Sequence, residues 1–181
     1  MKHVMYRWFW AWNYDKEEAW LNEWARRGLA LADVAGFRYV FEESDPGEYE
    51  YRLELLENRG YGAESRAYLR FLEDVGVECI ATYGRWVYLR RRSDGAPFDL
   101  FSDIDSKIKH LKRIDALLLA ILVIQLAGLA NLHLLLQRGL ADGALVAVVA
   151  VWLAVVALVA SGFVRIARKL RRLKRERAVR E

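Results

Sequence analysis

Few side chains in this 181-residue chain are of types and spacings that do covalent chemistry. The three histidines, His3, His110 and His133, are scattered along its length, and the single cysteine, Cys79, lies in an alternating apolar run where a thiol packs as a small hydrophobe. One cysteine excludes an intramolecular disulfide framework and a cysteine-rich metal site. Asp103 and Asp105 are spaced like the metal-binding carboxylates of some glycosyltransferases, but capping and the helix dipole account for carboxylates at a helix start. There is no glycine-rich phosphate loop before a lysine, no paired-histidine metal motif and no nucleophile elbow. The expectation is a protein with no catalytic residue, metal or cofactor, and not an enzyme.

What the chain has in quantity is ring surface, with 7 Trp, 9 Tyr and 7 Phe. Strand alternation puts Trp8, Trp10, Tyr39, Tyr51, Trp86 and Tyr88 on one face, along with Tyr6, Trp12, Phe37 and Phe41. The first six are the candidate contacts for a small apolar or cationic ligand, since aromatic-lined concave sites suit both. Core packing explains the same set, because about 100 residues with two helices must bury one sheet face. Arg7, Arg38, Arg52, Glu50 and Glu54 fall on the opposite face. They read either as solvated cross-strand ion pairs or as a polar surface, with Arg7, Arg52 and Glu50 as the polar ligand candidates.

The elements that must position these residues repeat. Tyr6-Arg7 opens one alternating run, and Tyr51-Arg52 opens another 45 residues later. A helix follows each: the first with Asp15 as N-cap, Glu18 three residues on, and a stop at Gly28; the second with Tyr68, Leu69, Leu72 and Val75 and a stop at Gly76. Each helix leads into a hairpin, turning at Ala35-Gly36 and at Tyr83-Gly84, again 48 residues apart. The expected fold class is α+β: one antiparallel sheet from two βαββ units, about residues 1–44 and 45–92, with the helices on one face. Residues 93–113 form a linker and an amphipathic helix carrying Ile104, Ile108 and Leu111.

Beyond Ser106 the composition changes. Residues 1–106 hold 14 Lys+Arg against 20 Asp+Glu, net −6, and residues 107–181 hold 14 against 4, net +10. Ile114–Leu136 has one carboxylate, Asp115 at its edge, and Gly143–Val164 has no charge, so each reaches roughly 33 Å, enough for a hydrocarbon core of about 30 Å. The six residues between, Gln137–Asp142, make the pair an antiparallel transmembrane hairpin, taken as 114–166. Lysines and arginines precede the first span and fill the basic tail, 167–181, while the loop carries only Arg138. Positive residues stay inside, which places both termini in the cytoplasm of a two-pass membrane protein, with anionic lipid headgroups, not nucleic acid, as the tail's partner. No signal peptide precedes the head. Small residues step by four and three along both spans: Ala116, Ala120 and Ala127 in the first, and Ala147, Ala150, Ala154 and Ala157 in the second. Such seams permit close helix approach, leaving Val149 on the lipid side. Gln125, Asn131 and His133 read as helix-contact residues.

The run from Phe9 through Trp12-Asn13-Tyr14-Asp15 to Trp20-Leu21, with Phe37-Arg-Tyr39-Val-Phe41, Pro46-Gly47-Glu-Tyr49-Glu-Tyr51-Arg52, Arg85-Trp86-Val87-Tyr88 and Pro97-Phe98, resembles the bacterial domain-of-unknown-function 2812 family over about residues 6–113. The resemblance implies membrane spans behind the head, a bacterial cytoplasmic membrane and a regulatory context, since members are often encoded beside PadR-type transcriptional repressors; it brings no catalytic residues. A doubled βαββ unit also looks like the effector-binding domains of some multidrug-responsive regulators, by fold analogy alone. The expected function is therefore a membrane-anchored cytosolic binding or sensor module. The alternatives are an interaction subunit of a larger membrane assembly, with a protein partner linked to a PadR-type regulator, and, remotely, an enzyme.

Overall fold

The computed structural model describes residues 1–58, 62–96, 98, 104–137 and 143–180. The chain is α+β and forms two compact units, Met1–His110 and Leu111–Glu181. In the first unit, β1 (Lys2–Tyr6), α1 (Tyr14–Arg26), β2 (Leu29–Ala35) and β3 (Arg38–Glu43) are followed by β4 (Tyr49–Leu55), α2 (Ala63–Asp74), β5 (Val77–Tyr83) and β6 (Trp86–Arg92). The order βαββ occurs twice.

The repeat extends to geometry. In each half the last strand is central and antiparallel to both neighbours, giving the orders β1-β3-β2 and β4-β6-β5. The ladder of β2 slips between Leu31 and Asp33, and that of β5 slips between Cys79 and Ala81, the same place 48 residues on. Gly28 and Gly76 both end their helices at φ +83°. Only glycine reaches that region without cost, and a Cβ on Gly28 would also stand 3.0 Å from the Ser44 carbonyl oxygen.

One expectation is corrected here. The two halves form two three-stranded sheets instead of one continuous sheet. β2 and β5 are the edge strands through which the sheets adjoin, and each carries its bulge there, which bends the strand and breaks the regular row of backbone groups a shared ladder would need. The sheets are joined through side chains. Tyr51, fully buried on β4, accepts the Leu31 N–H on its hydroxyl at 2.8 Å.

Helix α1 does not simply cover a sheet face. Asn22 both donates to the Tyr51 carbonyl (3.0 Å) and accepts from the Tyr51 N–H (2.8 Å), and Glu18 accepts the Leu53 N–H at 2.8 Å. Since β6 pairs with the other side of β4, these side chains stand where a further strand would, and they satisfy an edge that could otherwise pair with another chain. Leu21, Ala25, Leu31, Tyr39, Phe41, Tyr51, Leu53 and Tyr88 then form one core drawn from both halves.

The first strand is also shorter and earlier than expected. β1 pairs with β3 from Lys2 opposite Glu42 to Tyr6 opposite Arg38, and the Arg7 N–H to the Phe37 carbonyl is the last bond. β3 begins there, so Trp8, Trp10 and Trp12 have no strand to alternate on. Residues Ala11–Asn13 form a 3₁₀ turn, and Asp15 lies inside the first turn of α1 instead of capping it.

In the second unit, α3 (Ile104–Gln137, beginning in the first unit) and α4 (Gly143–Arg180) are long helices. Among the described residues one helix is long and apolar enough to cross a membrane, over Leu145–Ala178. Asn131 and His133, the loop 138–142 and Asp103 lie outside the residues whose side chains are described. Ala116, Ala120, Ala127, Ala147, Ala150, Ala154 and Ala157 all sit on exposed faces. The helix contact runs elsewhere: Trp152 donates to Gln125 Oε1 at 2.7 Å and packs 3.7 Å from where a Cβ on Gly128 would stand. Val149, Trp152, Val156, Val159 and Ile166 make up the covered stripe of α4, about 200° around the helix from the alanines two residues away. The Trp152–Gln125 bond marks the face of α4 that meets α3. Val149 thus belongs to the covered stripe.

Candidate functional site

Helix α1 buries Glu17, Leu21 and Ala25, an i, i+4, i+8 stripe whose first member is a carboxylate. Glu17 is 7% exposed. Its Oε1 accepts hydrogen bonds from the Tyr39 hydroxyl (2.6 Å) and the Tyr88 hydroxyl (2.7 Å), so α1, β3 of the first half and β6 of the second meet at one oxygen. Burial raises the Glu17 pKa, and the two hydroxyls offset part of that rise. Burial beside this carboxylate pushes both tyrosines far above their ordinary range, so they remain donors.

Around the carboxylate is a cavity of about 160 Å³. Its walls are the rings of Trp8, Phe9, Tyr14, Phe37, Tyr83 and Trp86, closed by Arg7, Tyr39 and Tyr88. Tyr39 is fixed by Trp20, which meets it edge-on at 4.9 Å, and by Phe9 at 6.3 Å. Arg7 lies over Phe9 and Trp20, 5.2 and 5.3 Å from their centroids. Tyr14 and Trp86 lie 6.0 Å apart, and His110, buried at the start of α3, meets them edge-on at 5.1 and 6.1 Å.

Of the residues expected to bind a ligand, Arg7, Trp8, Tyr39, Trp86 and Tyr88 converge on this cavity. Trp10 does not line it; it stacks on Trp12 at 5.2 Å and meets Trp8 edge-on. Tyr51 is committed to the seam between the sheets. Glu50 and Arg52 hold the segment after β6: Glu50 accepts the Phe98 N–H at 3.0 Å and pairs with Arg91 at 3.5 Å, while Arg52 and Arg91 lie over the Phe98 ring. Arg38 faces Asp33 across β2 and β3 at 3.6 Å, a solvated pair of small energetic weight.

Glu17, Tyr14, Phe9, Phe37 and Tyr83 complete the site and were not singled out from the sequence. A signal for Glu17 was present. A carboxylate at the head of an apolar i, i+4, i+8 stripe must be buried with the rest of the stripe, and a buried carboxylate needs donors.

A family model described as a protein of unknown function (DUF2812) matches residues 13–123, more than half of the chain and all of the elements from α1 to β6. No curated protein and no solved structure matches.

Proposed function

The chain belongs to the DUF2812 family of proteins of unknown function, and from that premise we propose that its first unit is a non-catalytic small-molecule binding module of a membrane-anchored regulatory protein. The observation that carries this reading is the cavity: ring walls from both halves of the repeat around one buried carboxylate. Concave, mostly apolar walls with a few converging polar groups are the usual make-up of small-molecule sites. An apolar core would fill with side chains and would not retain a carboxylate there.

The anchor is a two-pass hairpin of α3 and α4 in a bacterial cytoplasmic membrane, with both termini cytoplasmic. Support for it comes from the apolar length of α4, the uncharged run of the sequence before it, and lysines and arginines flanking the pair on one side. The basic end of α4 meets anionic lipid headgroups. A cysteine placed at Arg138 then reacts with an impermeant maleimide in intact cells and one placed at Glu181 does not; the reverse pattern inverts the topology.

The binding reading is tested by tryptophan fluorescence and thermal shift of the detergent-solubilised protein against organic cations, neutral apolar compounds, lipids and nucleotides. Saturable quenching together with a raised melting temperature is expected for at least one apolar or cationic class. A folded protein that responds to none favours the second reading, an interaction subunit. That reading draws on Tyr6, Trp8 and Phe37, which are more than half exposed. It requires a second polypeptide that co-purifies and is released by substituting these rings.

A further inference from the structure

The two oxygens of Glu17 have different surroundings. Oε1 accepts both tyrosine hydroxyls, and among the described residues Oε2 has no hydrogen-bond partner, on a side chain that lines the cavity. That division is the one a neutral carboxylic acid adopts: its carbonyl oxygen has two lone pairs for two donors, and its O–H is left to point into the open space. No arginine or lysine forms an ion pair with Glu17 among the described residues, so a negative charge there would be offset only in part, by the two hydroxyls.

The walls are suited to supplying that compensation from a ligand. Ring faces attract cations, and one stretch of wall already holds one: the Arg7 guanidinium over Phe9 and Trp20. The volume of about 160 Å³ has room for a trimethylammonium group with a short chain. Resting on the reading of this cavity as the ligand site, we propose that it binds small organic monocations of the ammonium class in exchange for a proton. The Glu17 Oε2–H bond breaks, the proton leaves to solvent, and the cation sits against the carboxylate, so the net charge of the site is unchanged. Neutral molecules of the same shape gain only the ring contacts.

Glu17 is the group best placed to titrate with the ligand. Tyr39 on β3, Tyr88 on β6 and Tyr14 on α1 keep their protons because burial and nearby carboxylates raise them. Arg7 lies over Phe9 and Trp20, and Tyr83 stands at the end of β5. Glu18 is pushed up to about 7 by burial, but its Oε1 is committed to the edge of β4. His110 lies against Tyr14 and Trp86. The burial that raises Glu17 favours the protonated empty state.

The test is calorimetric titration of the full chain in detergent with choline, whose charge does not change with pH, and with its uncharged isostere 3,3-dimethylbutanol, from pH 5 to 8.5. Choline should bind about tenfold more tightly per pH unit on the acid side, then level off, and release close to one proton there. The isostere should bind more weakly with no such slope. Glu17→Gln should lose at least tenfold in choline affinity together with the slope, whereas Glu18→Gln and His110→Gln should keep the slope. If Glu17→Gln does not fold, persistence of the slope in the other two variants still assigns it. Choline binding that is independent of pH, or isostere binding of equal strength, overturns the exchange and leaves the cavity reading standing. Loss of the slope in Glu18→Gln or His110→Gln also overturns it. If neither probe binds, the exchange is overturned, and the cavity reading is then decided by the wider ligand screen.

Discussion

The first unit hides polar groups and pairs them, whereas the second shows apolar groups and leaves them uncovered. In the first, Glu17, Glu18, Asn22 and Tyr51 are covered and each is met by a named donor or acceptor. In the second, Ile124, Val146, Val148 and Val151 are each about two-thirds exposed, and an indole-to-carboxamide bond joins its helices. Under the proposed membrane anchoring, the same physical chemistry governs both, with a different solvent outside. In water, apolar burial drives folding and buried polarity must be matched; in lipid, outward valines cost nothing and packing supplies the specificity.

The comparison breaks first on the largest effect. Leu21→Ala removes a fully buried side chain from the core shared by both halves and should cost about 2–5 kcal/mol, while Leu153→Ala on α4, half exposed, should change head unfolding by less than about 0.5 kcal/mol. Near-UV circular dichroism on heating reads both. Equal losses would mean that α4 is covered by something more demanding than lipid.

Next in size is the side-chain edge of β4. Asn22→Ala leaves the Tyr51 N–H without its partner and the Tyr51 carbonyl with Arg52 as its remaining donor, at a cost of about 1–3 kcal/mol, and opens an edge for pairing with another chain. Thermal unfolding gives the first and light scattering at rising concentration the second. A variant that is less stable yet no more prone to associate would show that β4 is shielded by more than Asn22 and Glu18.

What could be read from the sequence divides along the same line. The repeat was legible because its markers are local: a glycine ends each helix and a second glycine turns each hairpin, all at a spacing of 48 residues. The core role of Tyr51 and Tyr39 followed from alternation. The split of the sheets did not, because it depends on two bulges whose residues look like ordinary strand. Trp8 and Trp10 were placed on a strand by alternation, but a strand needs a partner, and β3 starts only at Arg38, opposite Tyr6. At the site, the rings are legible in the sequence and the carboxylate is not, because Glu18, three residues after Asp15, fits a capping pattern and Glu17 beside it fits none. In the second unit, the small-residue stripe lies on exposed faces, and spacing alone cannot weigh seven alanines against one Trp152–Gln125 bond.

That bond gives the third prediction. Gln125→Leu keeps the volume and removes the acceptor, and should loosen the pairing of α3 and α4 by about 0.6–1.7 kcal/mol, the range found for hydrogen bonds between membrane helices. Ala150→Leu and Ala154→Leu, on the exposed face, should have less effect than Val149→Ala on the covered stripe. Crosslinking between cysteines at positions 122 and 156 reports it. Greater sensitivity at the alanines would restore the small-residue seam, as a contact with another copy.

The smallest effect is a pH dependence of the first unit. Glu18 is raised from 4.5 to about 7, chiefly by burial, with the Leu53 N–H and Arg52 pulling the other way. Between those values the folded head holds a proton that the unfolded chain has released, so the slope of unfolding free energy against pH is negative. The stabilising contribution is complete below about pH 4.5 and is lost as pH rises through about 7; Glu17, raised for the same reason, adds in the same direction. The melting temperature of the head should therefore rise on acidification from pH 8 to 5.5, opposite to the trend of an exposed, ion-paired carboxylate such as Glu23, which Arg26 and Arg27 hold below its ordinary range. Glu18→Gln keeps an acceptor for the Leu53 N–H without the charge, so it should flatten the slope and be at least as stable as the natural chain at pH 8. A head that loses stability on acidification over that range, or a Glu18→Gln variant with an unchanged slope, would show that Glu18 is ionised in the folded protein and that water reaches the β4 edge.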